Sequence, residues 1–208
     1  MSSQLQQPIL FLASGNAGKL REFRNAAGAR GVTVEAVPRF RELPPCIEDG
    51  ATFEGNARKK ALHYARLVEG LVFADDSGIC VDALGGAPGV LSARFAGPEA
   101  SDAANNAKLL EELRNIAPPV RTAHYVCVVA LAQREKLLGL FEGRADGQII
   151  RSPKGSGGFG YDPYFFFPPL GKTFAELTAA EKFSVSHRGE AFRKLLDFLE
   201  TLVTDQQS

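Results

Sequence analysis

Short apolar runs separated by glycine-bearing or polar segments predict alternating strands and helices at the start of the chain. Residues 8–13 (PILFLA) form a compact apolar run, and Leu20, Phe23 and Ala27 then recur at helical spacing. Residues 32–36 (VTVEA) have the composition of a second strand. The chain therefore opens with a predicted strand, a glycine turn, a helix and another strand.

A further helix and a buried strand are predicted next. Residues 52–69 begin with a threonine that can act as an N-cap, and their apolar side chains approximate one helical face. Residues 71–74 (LVFA) predict a short buried strand that ends at Asp75 and Asp76. Residues 79–84 then predict a separate strand, which a glycine-rich stretch stops.

The second half of the chain predicts a β-hairpin and a closing helix. Residues 121–133 and 137–144 are rich in β-branched and aromatic residues, and a short polar connection joins them. No internal repeat, low-complexity tract or linker divides the chain, so we predict one domain over residues 1–208, for which a bilobal form with a cleft fits best. The remaining predicted elements are a helix capped by Ser101 or Asp102, a glycine-rich segment over residues 153–163, a strand over residues 164–167 and a helix over residues 188–203.

Charge and cysteine content narrow the class of protein. The chain has 24 Lys plus Arg and 24 Asp plus Glu, so no net field favours nucleic acid or an anionic membrane. Its three cysteines are far apart and outside any CxxC pattern, which indicates reduced packing residues. Residues 1–7 have no features of a signal peptide, and no apolar run reaches the roughly 18 residues of a membrane span. We therefore expect a cytoplasmic protein with no nucleic-acid or membrane partner.

The adjacent carboxylates Asp75 and Asp76 are the most informative candidates for chemistry. They follow a predicted buried strand, and open α/β sheets place ligands at the carboxyl ends of their strands. Neighbouring like charges repel, which raises their pKa values unless a cation or donors compensate. Hard oxygen ligands suit Mg²⁺, which usually takes one or two carboxylates together with substrate phosphates. The alternative is a solvated turn, because Asp, Ser and Gly all favour turns.

Residues 14–19 (SGNAGK) form a candidate anion site. A strand, a glycine-bearing turn and a helix start can present backbone N–H groups to a phosphate, and Lys19 adds positive charge. The segment lacks the Walker pattern, which needs Gly at Ala13 and Ser or Thr at Leu20. An ordinary strand-to-helix turn with a solvated lysine is the alternative.

The glycine-rich segment also carries two aromatic residues. In residues 155–163 (GSGGFGYDP), glycines flank Phe159 and Tyr161, so the backbone can approach a ligand while a ring stacks on a planar base. Asp162 could accept a hydrogen bond from a ligand N–H. The alternative is a loop whose rings fold back into the core.

A cationic cluster precedes and opens the predicted last helix. Lys182, His187 and Arg188 could read carbonyl oxygens on a base edge, although helix capping by residues 186–187 with an exposed arginine is the simpler explanation. Glu48 is a weaker metal-ligand candidate on an irregular loop, where an exposed charge is the commoner role.

Five blocks in this order resemble the signature blocks of one family. They are residues 14–19 (SGNAGK), 74–78 (ADDSG), 84–89 (LGGAPG), 157–163 (GGFGYDP) and 186–188 (SHR). Together they resemble the inosine/xanthosine triphosphate pyrophosphatases, or Ham1-like proteins, and the resemblance spans roughly residues 9–200.

This resemblance implies an α/β fold, with a long twisted mixed sheet flanked by helices and two lobes around a central substrate cleft, and usually a homodimer. It implies Mg²⁺-dependent cleavage of dITP, ITP or XTP to the monophosphate and pyrophosphate, which cleanses the nucleotide pool. One departure is Gly55, where many relatives carry a second Glu. A non-catalytic nucleotide-binding module and a pyrophosphatase for modified pyrimidine nucleotides are the competing hypotheses.

The resemblance also assigns roles by position. Asp76 would be the general base or a metal-linked carboxylate, and Lys19 would steady the leaving group. Metal ligation is implied for Asp76, with Glu48 and Asp75 as less secure candidates. Substrate contacts are implied for Ser14, Gly15, Asn16, Ala17, Gly18 and Lys19 at the phosphates, and for Ser77, Phe159, Gly160, Tyr161, Asp162, Lys182, His187 and Arg188 elsewhere.

Overall fold

The structure is a computed structural model that describes residues 9–205, in which seven strands form one mixed sheet. The prediction for residues 1–7 and the first residue of the predicted opening strand, Pro8, lie outside this range. The strands are β1 (Ile9–Leu12), β2 (Thr33–Ala36), β3 (Leu71–Val81), β4 (Thr122–Gln133), β5 (Lys136–Ile149), β6 (Phe165–Phe167) and β7 (Lys172–Thr173). The helices are α1 (Ala17–Gly28), α2 (Phe53–Ala65), α3 (Asp102–Glu112), α4 (Ala179–Val185) and α5 (His187–Asp205).

The strand order is β2-β1-β3-β4-β5-β6-β7. Strand β1 pairs in parallel with both β2 and β3, as βαβ connections require, and β6 pairs antiparallel with β5 and β7. The predicted mixed α/β sheet is therefore confirmed. Among residues 9–205, no helix combines the length and apolar character that crossing a membrane requires.

The described residues divide into two compact units. The first unit contains residues 9–75, 128–141 and 192–205. Its core includes three aromatic rings from α1, β3 and α5, since Phe23 lies 5.1 Å from Phe73 and 4.8 Å from Phe192 between ring centroids. All three rings are fully buried, so α1 and α5 are held by the apolar faces that their spacing predicts.

The second unit contains residues 76–127 and 142–191. Its core joins α3 to the strands, with Leu109 and Leu113 packed in the same cluster as Ile79, Phe165 and Phe174. This unit also contains α4 and β7, which were not predicted. Helix α4 starts with a capping box in which Thr178 and Glu181 bond each other's backbone, a local signal that was overlooked.

Several predicted boundaries are wrong, including that of β5, which ends at Ile149 and not at residue 144. Helix α2 ends at Ala65 rather than Glu69, and its N-cap Thr52 does accept the Gly55 N–H as predicted. Strand β3 continues through Asp75 and Asp76 to Val81, so the predicted strands over residues 71–74 and 79–84 are one element, followed by a short 3₁₀ turn. Its central place between β1 and β4 supplies neighbours that no local turn preference can outweigh.

Candidate functional site

The loop between β1 and α1 is turned by its own side chains. Asn16 is the N-cap of α1, and its Oδ1 accepts hydrogen bonds from the Gly18 N–H (2.8 Å) and the Lys19 N–H (3.1 Å). The Asn16 N–H in turn donates to Ser14 Oγ at 3.2 Å. The prediction of open amides is therefore wrong for Gly18 and Lys19 in this structure, because the cap already uses both.

Lys19 forms an ion pair with Asp75 at 2.8 Å. The Asp75 side chain is fully buried and that of Lys19 is 16% exposed, so the pair is largely shielded from water. Leu12 at the end of β1 pairs with Phe73, and Asp75 lies two residues beyond this last parallel pair of β3. We call residues 14–19 together with Asp75 the Lys19 group.

Asp76 has different surroundings from Asp75. It is half-buried, and its Oδ1 accepts the Ser77 N–H at 3.0 Å. Because both carboxylates lie inside β3, the solvated turn is excluded and the predicted strand end is wrong as well. The two acids are therefore not equivalent, since Asp75 neutralises a lysine while Asp76 is reached by solvent.

Glu48 is held by a lysine that sequence reasoning missed. Lys60 lies on the buried face of α2, and its Nζ is 2.6 Å from Glu48 Oε2. The same helix holds two more points of the loop, since Asn56 Oδ1 accepts the Gly50 N–H at 2.7 Å and His63 Nε2 lies 2.8 Å from the Pro44 carbonyl. A lysine on the helical face that also carries Ala57, Ala61 and Tyr64 was the signal that could have identified Lys60.

Within residues 9–205 no group of three or more His, Cys, Asp or Glu is arranged to hold a metal ion. Glu48 and Asp75 each already pair with a lysine. Carboxylate oxygens nevertheless suit Mg²⁺, which binds proteins through one or two carboxylates when phosphates supply its other ligands. The donors therefore fit a metal that arrives with a polyphosphate, and do not form a cage that would bind it alone.

In the second unit, Arg188 connects α5 to β3 and to an aromatic ring. It is 3% exposed, its Nη2 donates to Ser77 Oγ at 3.0 Å, and its guanidinium carbon lies 5.4 Å from the Phe159 ring centroid. Lys182 Nζ lies 4.7 Å from the same centroid. The half-buried Phe159 is thus flanked by two cations, both within reach of cation–π attraction.

Asp162 organises the glycine-rich loop from within. Its Oδ2 forms an ion pair with Lys182 at 2.6 Å and accepts the Phe159 N–H at 2.9 Å. A Cβ at Gly158 would collide with this oxygen, and the backbone there has φ of +70°, so the position requires glycine. Asp162 is 3% exposed, and its carboxylate is already bonded to Lys182 and Phe159, so it holds the loop in place. The predicted hydrogen bond from a ligand N–H is therefore not required to satisfy this buried carboxylate.

The predicted stacking role of Tyr161 is wrong. Tyr161 is 4% exposed, belongs to the core of the second unit and donates its hydroxyl to the Ser92 carbonyl at 2.8 Å. Burial raises the pKa of Tyr161. The alternative of a ring folded into the core is therefore correct for Tyr161, which leaves Phe159 as the partly exposed ring of this loop.

His187 is buried and stacked on a tyrosine that sequence reasoning missed. The His187 and Tyr125 rings lie 4.5 Å apart at an angle of 6°. Burial raises the pKa of Tyr125 well above its ordinary value, which keeps its hydroxyl neutral. Ser186 Oγ accepts the Gly189 N–H at 3.2 Å, so the capping role is confirmed for this serine. We call Ser77, Phe159, Asp162, Lys182, His187 and Arg188 the Arg188 group.

Comparison with known proteins finds similarity over most of the chain. The family model described as the Ham1 family matches residues 10–198. A protein of Desulforamulus reducens named dITP/XTP pyrophosphatase is 46% identical over 198 residues, which cover 95% of this chain and 98% of that protein. A protein of Geobacillus kaustophilus with the same name is 46% identical over 194 residues, which cover 93% of this chain and 95% of that protein. A solved structure of a HAM1 protein from Coxiella burnetii is similar with a TM-score of 0.83 and 39% identity, over 94% of this chain and 100% of that one.

Proposed function

This chain belongs to the Ham1 family, and we propose that it is a nucleoside triphosphate pyrophosphatase acting on dITP, ITP and XTP. The reaction cleaves the α–β phosphoanhydride bond with water and yields the nucleoside monophosphate and pyrophosphate. Its expected role is to remove non-canonical purine nucleotides from the nucleotide pool. The similarity to relatives named dITP/XTP pyrophosphatase, over nearly their whole length, supports this activity.

The observation that carries the proposal concerns the two neighbours of Asp76. Asp75 pairs with Lys19, which follows the turn after β1, and Ser77 accepts a hydrogen bond from Arg188 beside Phe159. The residue before the half-buried Asp76 therefore bonds a cation suited to phosphate, and the residue after it bonds a cation suited to a base. We assign the phosphates to residues 14–19 and the base to the Arg188 group.

Asp76 is proposed as the general base. Its carboxylate accepts a proton from the water that attacks the α-phosphorus, and the bond to the bridging oxygen of the pyrophosphate breaks in line. Lys19 stabilises the charge on the leaving pyrophosphate by exchanging part of its ion pair with Asp75 for phosphate oxygens. Ser14, Gly15, Asn16 and Ala17 would contact the phosphates beside it, and Gly18 would do so by sharing the N–H that the Asn16 cap uses.

Magnesium is proposed as the cofactor. Asp76 is the first candidate to hold it, and Glu48 and Asp75 are weaker ones because each pairs with a lysine. When bound, Mg²⁺ would neutralise the charge of the phosphoryl oxygens. Asp75 has a defined role without the metal, since it orients Lys19.

Base selection is proposed to depend on hydrogen bonds from the Arg188 group. The base stacks on Phe159, and Arg188 and His187 donate to the 6-oxo oxygen, with Lys182 beside the ring. A 6-amino purine would present a donor to these donors and leave buried groups unsatisfied. Sites of this kind discriminate by up to about 10⁴–10⁵-fold. The backbone of Gly160 and the carboxylate of Asp162 would shape this part of the site, while Tyr161 supports it from the core.

A pyrophosphate-release assay tests the proposal. Turnover is measured on dITP, ITP, XTP, ATP, GTP and modified pyrimidine triphosphates, with Mg²⁺ and with chelator. We expect turnover of dITP, ITP and XTP above all others, and only with the metal. GTP also carries a 6-oxo group, so its rejection requires crowding or an unmet partner near its 2-amino group. Tight binding of dITP without turnover would indicate a nucleotide-binding module, and preference for a modified pyrimidine would replace the proposed substrate class.

A homodimer and a cytoplasmic location are part of the same proposal and follow from the family resemblance. Light scattering coupled to size exclusion measures the mass of the particle directly. A particle mass equal to the 22.4 kDa chain at micromolar concentration would contradict the dimer.

A further inference from the structure

Gly160 is held at both of its backbone groups by side chains of α3. Its N–H donates to Asp102 Oδ2 at 2.7 Å, and its carbonyl accepts from Asn106 Nδ2 at 2.9 Å. Asp102 and Asn106 are one helical turn apart and lie more than fifty positions from Gly160 in the sequence. Gly160 has φ of +61°, with nothing within 4 Å of a Cβ placed there, so its conformation and not crowding favours glycine.

Burying the side chain of Asn106 costs free energy unless its amide N–H groups find acceptors. It is 8% exposed, and its Nδ2 divides its hydrogens between the Asp102 carbonyl (2.8 Å) and the Gly160 carbonyl. Its Oδ1 is buried and accepts no hydrogen bond from any residue in the described range. A buried acceptor without a donor costs free energy, and the two bonds that Nδ2 donates offset part of that cost.

The residue next to Gly160 is Phe159, the ring flanked by Lys182 and Arg188. Asp162 holds the Phe159 N–H from inside the loop, and α3 holds Gly160 from outside it. The peptide that joins Phe159 to Gly160 is bonded at both of its groups, since its N–H donates to Asp102 and its carbonyl accepts the Asp162 N–H at 3.3 Å. Loss of these bonds would let the backbone dihedral angles of Phe159 and Gly160 change, and the Phe159 ring carried on that backbone would then shift relative to its two cations.

We propose that Asp102 and Asn106 are positioning residues that hold the Phe159 ring for base binding and thereby set substrate affinity and base preference. This inference rests on the proposed function, because Phe159 is assigned to the base there. Neither residue touches the reacting phosphates in this assignment. Their loss should therefore weaken binding and selectivity while leaving the chemical step nearly intact.

Matched variants of α3 test the proposal. Asn106→Asp replaces the donor with an acceptor that faces the Gly160 carbonyl, and Asp102→Ala removes the acceptor of the Gly160 N–H. Asn105→Asp is the control for the first, because Asn105 is also buried but bonds Ala93 and Ala96 instead. Asp102→Asn keeps an acceptor oxygen and is the conservative partner of the second.

Three measurements are made on the purified full chain: steady-state kinetics with dITP and dATP, exchange of the Gly160 amide proton by NMR, and urea unfolding. For Asn106→Asp and Asp102→Ala, we expect KM for dITP to rise about tenfold, the size of one lost hydrogen bond, with kcat within about twofold. The preference for dITP over dATP should fall, and the Gly160 amide should exchange faster. Asn105→Asp and Asp102→Asn should stay close to wild type in KM.

Three outcomes would overturn the inference. Equal KM effects for Asn105→Asp and Asn106→Asp would mean a general loss of helix stability. Faster Gly160 exchange with unchanged KM would mean a structural tie without influence on substrate. A loss confined to kcat would place α3 in the chemical step. If wild type does not turn over dITP, the proposed function itself fails; the calorimetric affinity for dITP then replaces KM and decides between the same variants.

Discussion

The Lys19 group and the Arg188 group use charge in opposite ways. In the Lys19 group one lysine neutralises one fully buried carboxylate, and the loop around it is turned by a cap that spans three residues. In the Arg188 group each charged side chain has several partners, since Lys182 bonds Asp162 and lies over Phe159, while Arg188 bonds Ser77 and lies over the same ring. The first group is built around an ion pair, and the second around two cations that share one ring.

This difference predicts that losing Lys19 mainly lowers the stability of the fold and that losing Arg188 mainly lowers selectivity for the base. Removing one member of a buried pair leaves an uncompensated charge and destabilises the whole fold. The pair of Lys182 with Asp162 in the Arg188 group is buried as well, whereas removing Arg188 leaves both ion pairs in place, so its loss is expected mainly in recognition.

Asp76→Asn should lower kcat by about 10²–10⁴-fold, because the amide keeps the shape of the carboxylate but cannot accept the proton of water. The pyrophosphate-release assay measures this loss, and urea unfolding should show little change in stability. Asp49→Asn, an exposed acid of the first unit, is the control. Turnover at the wild-type rate in Asp76→Asn would remove the proposed base.

Lys19→Met should lower the free energy of unfolding by about 3–5 kcal/mol, since Asp75 then stays buried without its cation. Urea denaturation gives this value directly. Lys59→Met is the matched control, because its pair with Asp49 is exposed on both sides and is worth about 0–1 kcal/mol. If the two lysine variants lose the same stability, the contrast between a buried pair and a surface pair is wrong.

Arg188→Ala should reduce the preference for ITP over ATP by about 10–100-fold, the value of a hydrogen bond from a charged donor. The ratio of kcat/KM for the two nucleotides measures it, and hydrolysis of ATP should change less. Lys194→Ala, at an exposed position of the same helix, is the control. Equal losses on ITP and ATP would contradict a role in reading the base.

The smallest expected effect is a pH dependence of stability from His124 in the second unit. Burial, followed by the charge of Arg144, lowers the pKa of His124, and Asp82 opposes this without reversing it. The unfolded chain therefore takes up the proton first, and stability is lost as pH falls below about 6.5. Wild type should lose stability relative to His124→Gln between pH 7.5 and 5. Parallel pH curves for the two proteins would contradict the lowered pKa.

Features that depend on neighbours in sequence were predicted well. The caps of α2 and α3 at Thr52 and Ser101 are confirmed, because a cap is a bond over three residues whose donors and acceptors the sequence places. The β4–β5 hairpin is confirmed as well, because only two residues join its strands and so short a connection is visible in the sequence. The sequence identified the segments that carry the candidate site residues, but it did not show which of these residues bond each other.

Features that depend on distant partners were missed or wrong. Lys60 was overlooked because its pair with Glu48 spans twelve residues, and Tyr125 because its stack with His187 joins β4 to the start of α5. Tyr161 was assigned to a ligand, but the core of the second unit buries it. No pattern in the loop itself distinguishes Phe159 from Tyr161, since both have glycine as a neighbour.

The sequence by itself determined the order of most helices and strands, the caps of α2 and α3 and the segments that carry charge, because these depend on short-range chemistry and periodicity. Only the tertiary structure decided that β3 continues through Asp75 and Asp76, that Asp75 forms an ion pair with Lys19, and that α3 forms hydrogen bonds with Gly160. Those outcomes depend on which surfaces meet after folding, and a strand ladder or a buried charge is stabilised by partners that lie far away along the chain.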